Sequence, residues 1–367
     1  MTFDGDNTEI ISACAFYNDV NLKNIKITKK VHNISSEAFG KCKSLVDIKI
    51  DPSNASYEYS NGMLQTKGEN RKIVFLSSKY YEGKTELSIP SGTTEFDMYF
   101  DSLEITTLKV PESVKILPTY CTKYPKTLKN IIIDDKNENF KVSEKCIYTK
   151  KSPINLVYCF SDAAEITLTE KVETINSDCP FQGCLNASVI NIPDTVTYFG
   201  AAITSTVGGK VKTLNIGSKV KNFSTWAFRG SIGVKVNVSN DNPYLKVEND
   251  ILYSKDDKII YSVLYKIKGE FTLKSGITRI YAFCFADQYE MTDLKLNKDV
   301  QTIENQVFMG CNKLTKLYLP ESIKSLNGRT FESCNNLKEV HIPKKKDSIA
   351  DAPWGLPIGE RGIYWDA

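Results

Sequence analysis

Apolar and polar positions along the chain return in the same register every 23 residues or so. Phe285, Phe308 and Phe331 are spaced by 23, and so are Leu296, Leu319 and Ile342. In each case the aromatic residue precedes the aliphatic one by eleven positions, and the same interval links Phe16 to Ile27, Phe39 to Ile50 and Phe181 to Ile192, with Phe228 to Val238 one shorter. Around Leu319 the segment KLTKLYLP alternates, with Leu314, Leu317 and Leu319 apolar. Alternation of period two predicts a short strand with one face turned inward. An apolar residue three or four places on, as at Ile323, and another at Leu326 predict that the chain then turns around the same core. The aliphatic anchor recurs at Ile27, Ile50, Ile89, Val110, Ile133, Leu168, Ile192, Ile216, Val238, Leu273, Leu296, Leu319 and Ile342, which makes thirteen rungs.

Three gaps between anchors are longer than one repeat: 50 to 89, 133 to 168 and 238 to 273. Their insertions, over approximately 51–86, 134–165 and 239–270, resemble one another. Each reads as an Asn/Asp-rich turn, a short strand, a charged turn and a second strand, which predicts a β-hairpin.

One such unit leaves its apolar face bare and stacking buries it, so the repeats predict a solenoid stabilised by neighbour interfaces. Thirteen parallel strands at a spacing of ~4.8 Å would give a sheet about 58 Å long. The expected organisation is a single solenoid over 1–343 closed by a capping segment over 344–367, in which Trp354 and Trp365 cover the last rung.

These residues carry a resemblance. The pattern in EAFGKCKSLVDIKI (Phe39, Cys42, Leu45, Ile48, Ile50) and TFESCNNLKEVHIPKK (Phe331, Cys334, Leu337, Val340, Ile342, Pro343) is similar to the BspA-like class of leucine-rich repeats. It covers essentially the whole chain, and the hairpin insertions and the closing APWGLPIGERGIYWDA also resemble that class. The resemblance implies a leucine-rich-repeat horseshoe or arc, with a concave parallel β-sheet of about thirteen rungs and irregular convex connections. Stretches 123–128 and 201–209 lack the Phe and Cys, so irregular connections are expected there. The resemblance further implies a surface or secreted protein engaged in adhesion, with no active site.

Composition narrows the function. The net charge is +3, and of 47 cationic residues only five are Arg, the residue that forks onto phosphate and guanine, so no nucleic-acid partner is expected. Two histidines, His32 and His341, leave little for imidazole-dependent catalysis. Both fall at outward positions and are expected to be exposed. No apolar stretch is long enough to span a bilayer, and MTFDGDNTEIISACAF lacks the basic start and apolar run of a secretory signal. The segment as written is therefore expected to be soluble.

Among the ten cysteines, Cys42, Cys184, Cys311 and Cys334 sit three residues after the repeat Phe, and Cys14 and Cys179 two before it. Positions fixed by the repeat predict reduced, buried core thiols. The Asx clusters at Asp51–Asn54, Asp134–Asn139 and Asn240–Asn242 could supply oxygens to calcium, but they recur before each hairpin, where Asn and Asp make turns. No metal and no cofactor is expected. Lys344, Lys345 and Lys346 predict a solvated end, with a polyanion or polysaccharide contact as the alternative. Ten tyrosines in the hairpin regions serve either packing or a partner.

The outward column of the sheet is Lys26, Lys49, Ser88, Lys109, Ile132, Thr167, Asn191, Asn215, Asn237, Thr272, Lys295, Tyr318 and His341. It is polar and almost free of aromatics until its C-terminal end. Lys295, Tyr318 and His341, expected on adjacent strands, are therefore the candidate partner contact. The function expected is a non-enzymatic binding scaffold for a protein or glycan. A structural spacer is one alternative, and a hydrolase using a carboxylate pair such as Asp47 and Glu86 is another.

Overall fold

The computed structural model describes residues 2–3, 7–119, 123–168, 171–177, 180–200, 202, 210–346 and 348–366. They are stacked β-coils with a short 3₁₀ turn at Gly359–Gly362, and no helix among them is long and apolar enough to cross a membrane. The chain forms two compact units, 1–162 with 176–185, and 163–175 with 186–367.

A strand lies at, or one residue before, each of the thirteen anchors. In the first unit Thr2–Phe3, Asn24–Ile27 and Asp47–Ile50 form one parallel ladder, and Glu86–Ser88, Thr107–Val110 and Asn130–Ile133 another. In the second unit the ladders are Glu165–Thr167 through Lys235–Val238, then Gly269–Thr272 with Met291–Lys295, then Lys316–Tyr318, Glu339–Ile342 and Ile363–Trp365. The expected unbroken sheet is thus a series of shorter ladders: three breaks fall where an insertion separates the flanking strands, and a fourth, between Met291–Lys295 and Lys316–Tyr318, falls where there is none. The closing segment is more than a cap: Ile363–Trp365 adds a parallel strand, with Trp365 23 residues after Ile342.

Each coil turns through a second, shorter run of parallel strands, such as Arg279–Ile280, Thr302–Ile303 and Ser325–Leu326. Between the two runs lies the core. Leu294, Leu317 and Val340 point in from the first, Ile280, Ile303 and Leu326 from the second, and all are nearly or fully buried. On the remaining side Phe285, Phe308 and Phe331 stack with centroids 5.9 and 5.7 Å apart, and Phe16 and Phe39 do the same at 5.7 Å. Trp354 is fully buried against this core, and Phe331 donates its N–H to the Trp354 carbonyl, so the closing segment continues the coil path.

The repeat cysteine has a job at this edge. The thiols of Cys42, Cys311 and Cys334 donate to the carbonyls of Phe16, Phe285 and Phe308 on the preceding coil, 2.8, 3.1 and 2.7 Å away. A small apolar side chain with a weak S–H donor fits a buried spot that offers a spare carbonyl. Burial pushes the Cys184 and Cys334 thiols up to about 12. In the irregular coil Tyr124 replaces the missing Phe, stacking 4.0 Å from Tyr158, and the buried Lys123 is held by Asp97 at 2.8 Å and Glu37 at 3.3 Å. Of 201–209 only Ala202 lies within the described residues.

The thiol expectation fails at two places. Cys146 and Cys159 are disulfide-bonded, facing one another across neighbouring antiparallel strands. They belong to an insertion, so the repeat register says nothing about them. Cys14 is exposed, although Phe283 and Gln306, at the same repeat position and with the same left-handed backbone, are buried. Cys121 and Cys179 lie outside the described residues.

The insertions have three strands each, not two. They are Tyr57–Ser60, Met63–Thr66 and Arg71–Leu76; Phe140–Ser143, Cys146–Thr149 and Leu156–Cys159; and Leu245–Glu248, Ile251–Ser254 and Ile259–Val263. The first two strands of each are joined by a two-residue turn with both residues at positive φ: Asn61-Gly62, Glu144-Lys145 and Asn249-Asp250. This turn matches the natural twist of a hairpin. Only Asn61-Gly62 carries its usual signature, and there the Tyr80 ring sits 2.5 Å from where a Cβ on Gly62 would be.

One buried amide anchors every insertion. Asn54 donates to the carbonyls of Thr28 and Val31 on the previous coil, and its oxygen accepts from the N–H groups of Ser56 and Tyr57. Asn137 does the same with Pro111, Val114, Asn139 and Phe140, and Asn242 with Gly217, Val220, Tyr244 and Leu245. All four hydrogen-bonding positions of each amide are filled, which is what permits burial at 1% exposure or less. These oxygens serve turns, and among the described residues no group of three or more His, Cys, Asp or Glu is placed to hold a metal.

Candidate functional site

The strands Lys316–Tyr318, Glu339–Ile342 and Ile363–Trp365 run parallel in direct register, with Tyr318 opposite His341 and His341 opposite Tyr364. Leu317 and Val340 are buried, so by strand alternation their neighbours point outward. Three rings therefore stack in a column, Tyr318 to His341 at 4.6 Å and His341 to Tyr364 at 4.7 Å, with interplanar angles of 21° and 11°. The spacing is that of the strands themselves, about 4.8 Å. Tyr318 is 59% exposed and Tyr364 47%. His341 is half-buried, since its neighbours cover both ring faces.

Charged groups flank the column. The Lys316 ammonium is 2.6 Å from Glu339 Oε2, and His341 Nε2 is 3.0 Å from the same oxygen. Lys316 and then His341 hold the Glu339 carboxyl below its ordinary value, and Glu339 in turn raises the Lys316 ammonium. Such an arrangement presents rigid amphipathic rings beside fixed charges, which suits recognition by contact.

Of the sequence candidates, the structure brings together Tyr318 and His341. Lys295 lies on a separate two-stranded ladder, its ammonium 2.5 Å from Glu270 Oε1. Tyr364 was hidden in the presumed cap, although it lies 23 residues after His341, as His341 does after Tyr318. His32 is exposed, with Nδ1 3.2 Å from the Lys30 carbonyl.

Other parts of the outward column bond to themselves. Asn237 donates to Asn215, Asn215 to Asn191, and Asn191 to Glu165 and Thr167, at 2.6 to 2.8 Å. Glu86, one of the carboxylates considered for acid/base chemistry, pairs with Lys109 at 2.8 Å, and Lys109 and Ser88 keep it below its ordinary value. A general acid would need the opposite shift. Of the hairpin tyrosines, Tyr57, Tyr81, Tyr148, Tyr158 and Tyr253 are buried, whereas Tyr80, Tyr244 and Tyr265 are exposed. Lys345 and Lys346 are exposed at the end of the last repeat strand.

Comparison with known proteins gives the following. The family model for the BspA type leucine rich repeat region matches residues 9–73, 76–159, 154–235 and 261–353. No curated protein matches the sequence. A leucine rich cell surface protein from Faecalibacterium prausnitzii is similar in structure, with 14% identity, 85% of this chain and 95% of that chain covered, and a TM-score of 0.48. A leucine-rich repeat protein from Eubacterium ventriosum shares 15% identity over 85% of this chain and 78% of that chain, with a TM-score of 0.45. The pneumococcal vaccine antigen PcpA shares 15% identity over 85% and 94%, with a TM-score of 0.37. With stacked parallel coils, the Phe and Cys edge and a family match over most of its length, the chain belongs to the BspA-type leucine-rich repeat family.

Proposed function

We propose that this repeat scaffold is a non-enzymatic, adhesin-like binding protein of the cell surface or extracellular space. Its contact with a protein or glycan partner is made by the outward column at its C-terminal end. The observation that carries this reading is the Tyr318–His341–Tyr364 stack, an exposed run of rings, in contrast to the polar, self-bonded column from Thr167 to Asn237 of the same unit. Tyrosine held rigidly by its neighbours gives contact area at little conformational cost. The Cys146–Cys159 bond favours an oxidising compartment, as secreted and surface proteins experience. The test is binding of the whole chain to immobilised extracellular-matrix preparations and to whole cells. Replacing Tyr318, His341 and Tyr364 by Ala together should weaken binding by at least about tenfold, the equivalent of losing ~1.4 kcal/mol. Lys295→Ala should have little effect. Unchanged binding by a triple variant that keeps its circular dichroism would overturn the assignment of this column.

A further inference from the structure

Both faces of the His341 ring are covered, and so is one face of Tyr318 and one of Tyr364. The second face of Tyr318 looks along the stack toward the preceding coil. There the ladder is interrupted: Lys316–Tyr318 shares no sheet with Met291–Lys295. Lys295, which occupies the equivalent column position on that coil, is drawn to Glu270 on its far neighbour. Lys316, 5.8 Å from the Tyr318 ring centre, is held at Glu339 on the next coil. What adjoins Tyr318 instead is an open depression lined by Leu296, Lys298, Leu319, Pro320 and Glu321.

The lysines nearest the stack, Lys295 and Lys316, have carboxylate partners. Lys298 and Glu321 are exposed and are in no ion pair among the described residues. An ammonium with three donors and a carboxylate with two acceptor oxygens thus stand unengaged beside an unstacked aromatic face.

Resting on the binding-scaffold reading, we propose that this depression is a glycan subsite. A neutral pyranose stacks its apolar C–H face on the open side of Tyr318, and its hydroxyls bond to Lys298 and Glu321. A pyranose has what the site lacks: one flat apolar face, and a rim of hydroxyls that both donate and accept. A polyanion would meet Glu321 as well as Lys298 and gain no net attraction, and a purely apolar partner would leave both charges desolvated and unpaired. The depression is shallow and open, so it takes one unit within a longer glycan rather than enclosing a free sugar.

The whole chain can be tested by affinity electrophoresis in gels containing galactomannan, hydroxyethylcellulose, glycol chitin or xylan, with dextran sulfate as a purely anionic arm. Retardation by at least one neutral polysaccharide is expected. Tyr318→Ala should abolish it, Tyr318→Phe should keep it because the ring remains, and Lys298→Ala and Glu321→Ala should each weaken it by about tenfold. No retardation in any neutral gel, equal retardation of Tyr318→Ala, or retardation by dextran sulfate alone overturns the subsite. Parallel binding to matrix proteins before and after enzymatic deglycosylation separates the two readings. Undiminished, Tyr318-dependent capture of the deglycosylated protein overturns the glycan subsite and leaves the scaffold reading standing, whereas no binding to either form together with no retardation in any neutral gel removes both.

Discussion

The coils around Phe285, Phe308 and Phe331 and the three insertions face the same problem, which is to join one coil to the next without leaving buried polar groups unpaired. The regular coils use repetition, with identical rings stacking on identical rings and a thiol closing onto the carbonyl one coil back. The insertions break that repetition and use a single amide to tie a new segment to the old coil. Packing in the first case is spread over many weak contacts, whereas in the second four hydrogen bonds converge on one side chain. Their responses to mutation should differ accordingly.

The largest effect is expected at the ring column. Phe308→Ala removes a fully buried ring between two others and should cost about 3–5 kcal/mol in denaturant unfolding. A cost under about 1 kcal/mol would mean the rings do not carry the coil edge. Next, Asn137→Ala takes the amide partner from two carbonyls and two N–H groups, leaving Val114 only the 3.3 Å bond from the Asn139 side chain, and should cost about 2–4 kcal/mol. Asn242→Ala should match it, since both amides make the same four bonds. Unequal costs would show that the insertions are tied by something other than the amide.

The insertions also differ among themselves, and the smaller predictions address that. The second is closed covalently, and Cys146→Ser with Cys159→Ser should cost about 2–3 kcal/mol for a loop of this size, with no effect of reductant on the double variant. The third has no cysteine pair. There Lys246 meets Asp257 at 2.6 Å, and Lys274 meets Glu248 at 2.9 Å and Asp257 at 3.0 Å. Glu248 and then Asp257 raise the Lys274 ammonium from 10.5 to about 12. Its stabilisation is therefore complete below pH 10.5 and is lost as the pH rises through about 12. Lys274→Met should flatten that alkaline loss while costing less than about 1 kcal/mol at neutral pH, because the pair is partly solvated. Unfolding curves between pH 9 and 12.5 for the two proteins are the measurement.

Most of the fold was legible because a solenoid repeats its own evidence: the recurring aliphatic anchor, tied to a Phe at seven of its thirteen places, marked a strand at or beside each anchor. What escaped was local and occurred once. The tight turn at Glu144-Lys145 has none of the residues that usually mark a left-handed pair, so two strands read as one. Cys146 and Cys159 are brought opposite each other by a register that shifts within the ladder, and sequence spacing does not reveal such a shift. At the candidate site Tyr318 and His341 stood out by composition, while Tyr364 was masked by the Pro- and Gly-rich look of its surroundings, although the 23-residue period pointed to it. The open face of Tyr318 was illegible, since it depends on where a ladder stops.

The amide has a further consequence. Four residues after the anchor, coils that continue directly carry Val or Ile at Val31, Val114, Val172, Val196, Val220, Ile277, Val300 and Ile323, with Thr93 the exception. Asn54, Asn137 and Asn242 occupy that same position in the coils that receive an insertion. The carbonyls that Asn137 grips belong to an ordinary preceding coil, at places one and four after its own anchor. An insertion therefore makes no special demand on its host and travels with its own attachment point. Such a cassette can be gained, lost or moved between coils through one apolar-to-amide exchange, letting the array vary its projecting surface while the stack beneath keeps its register.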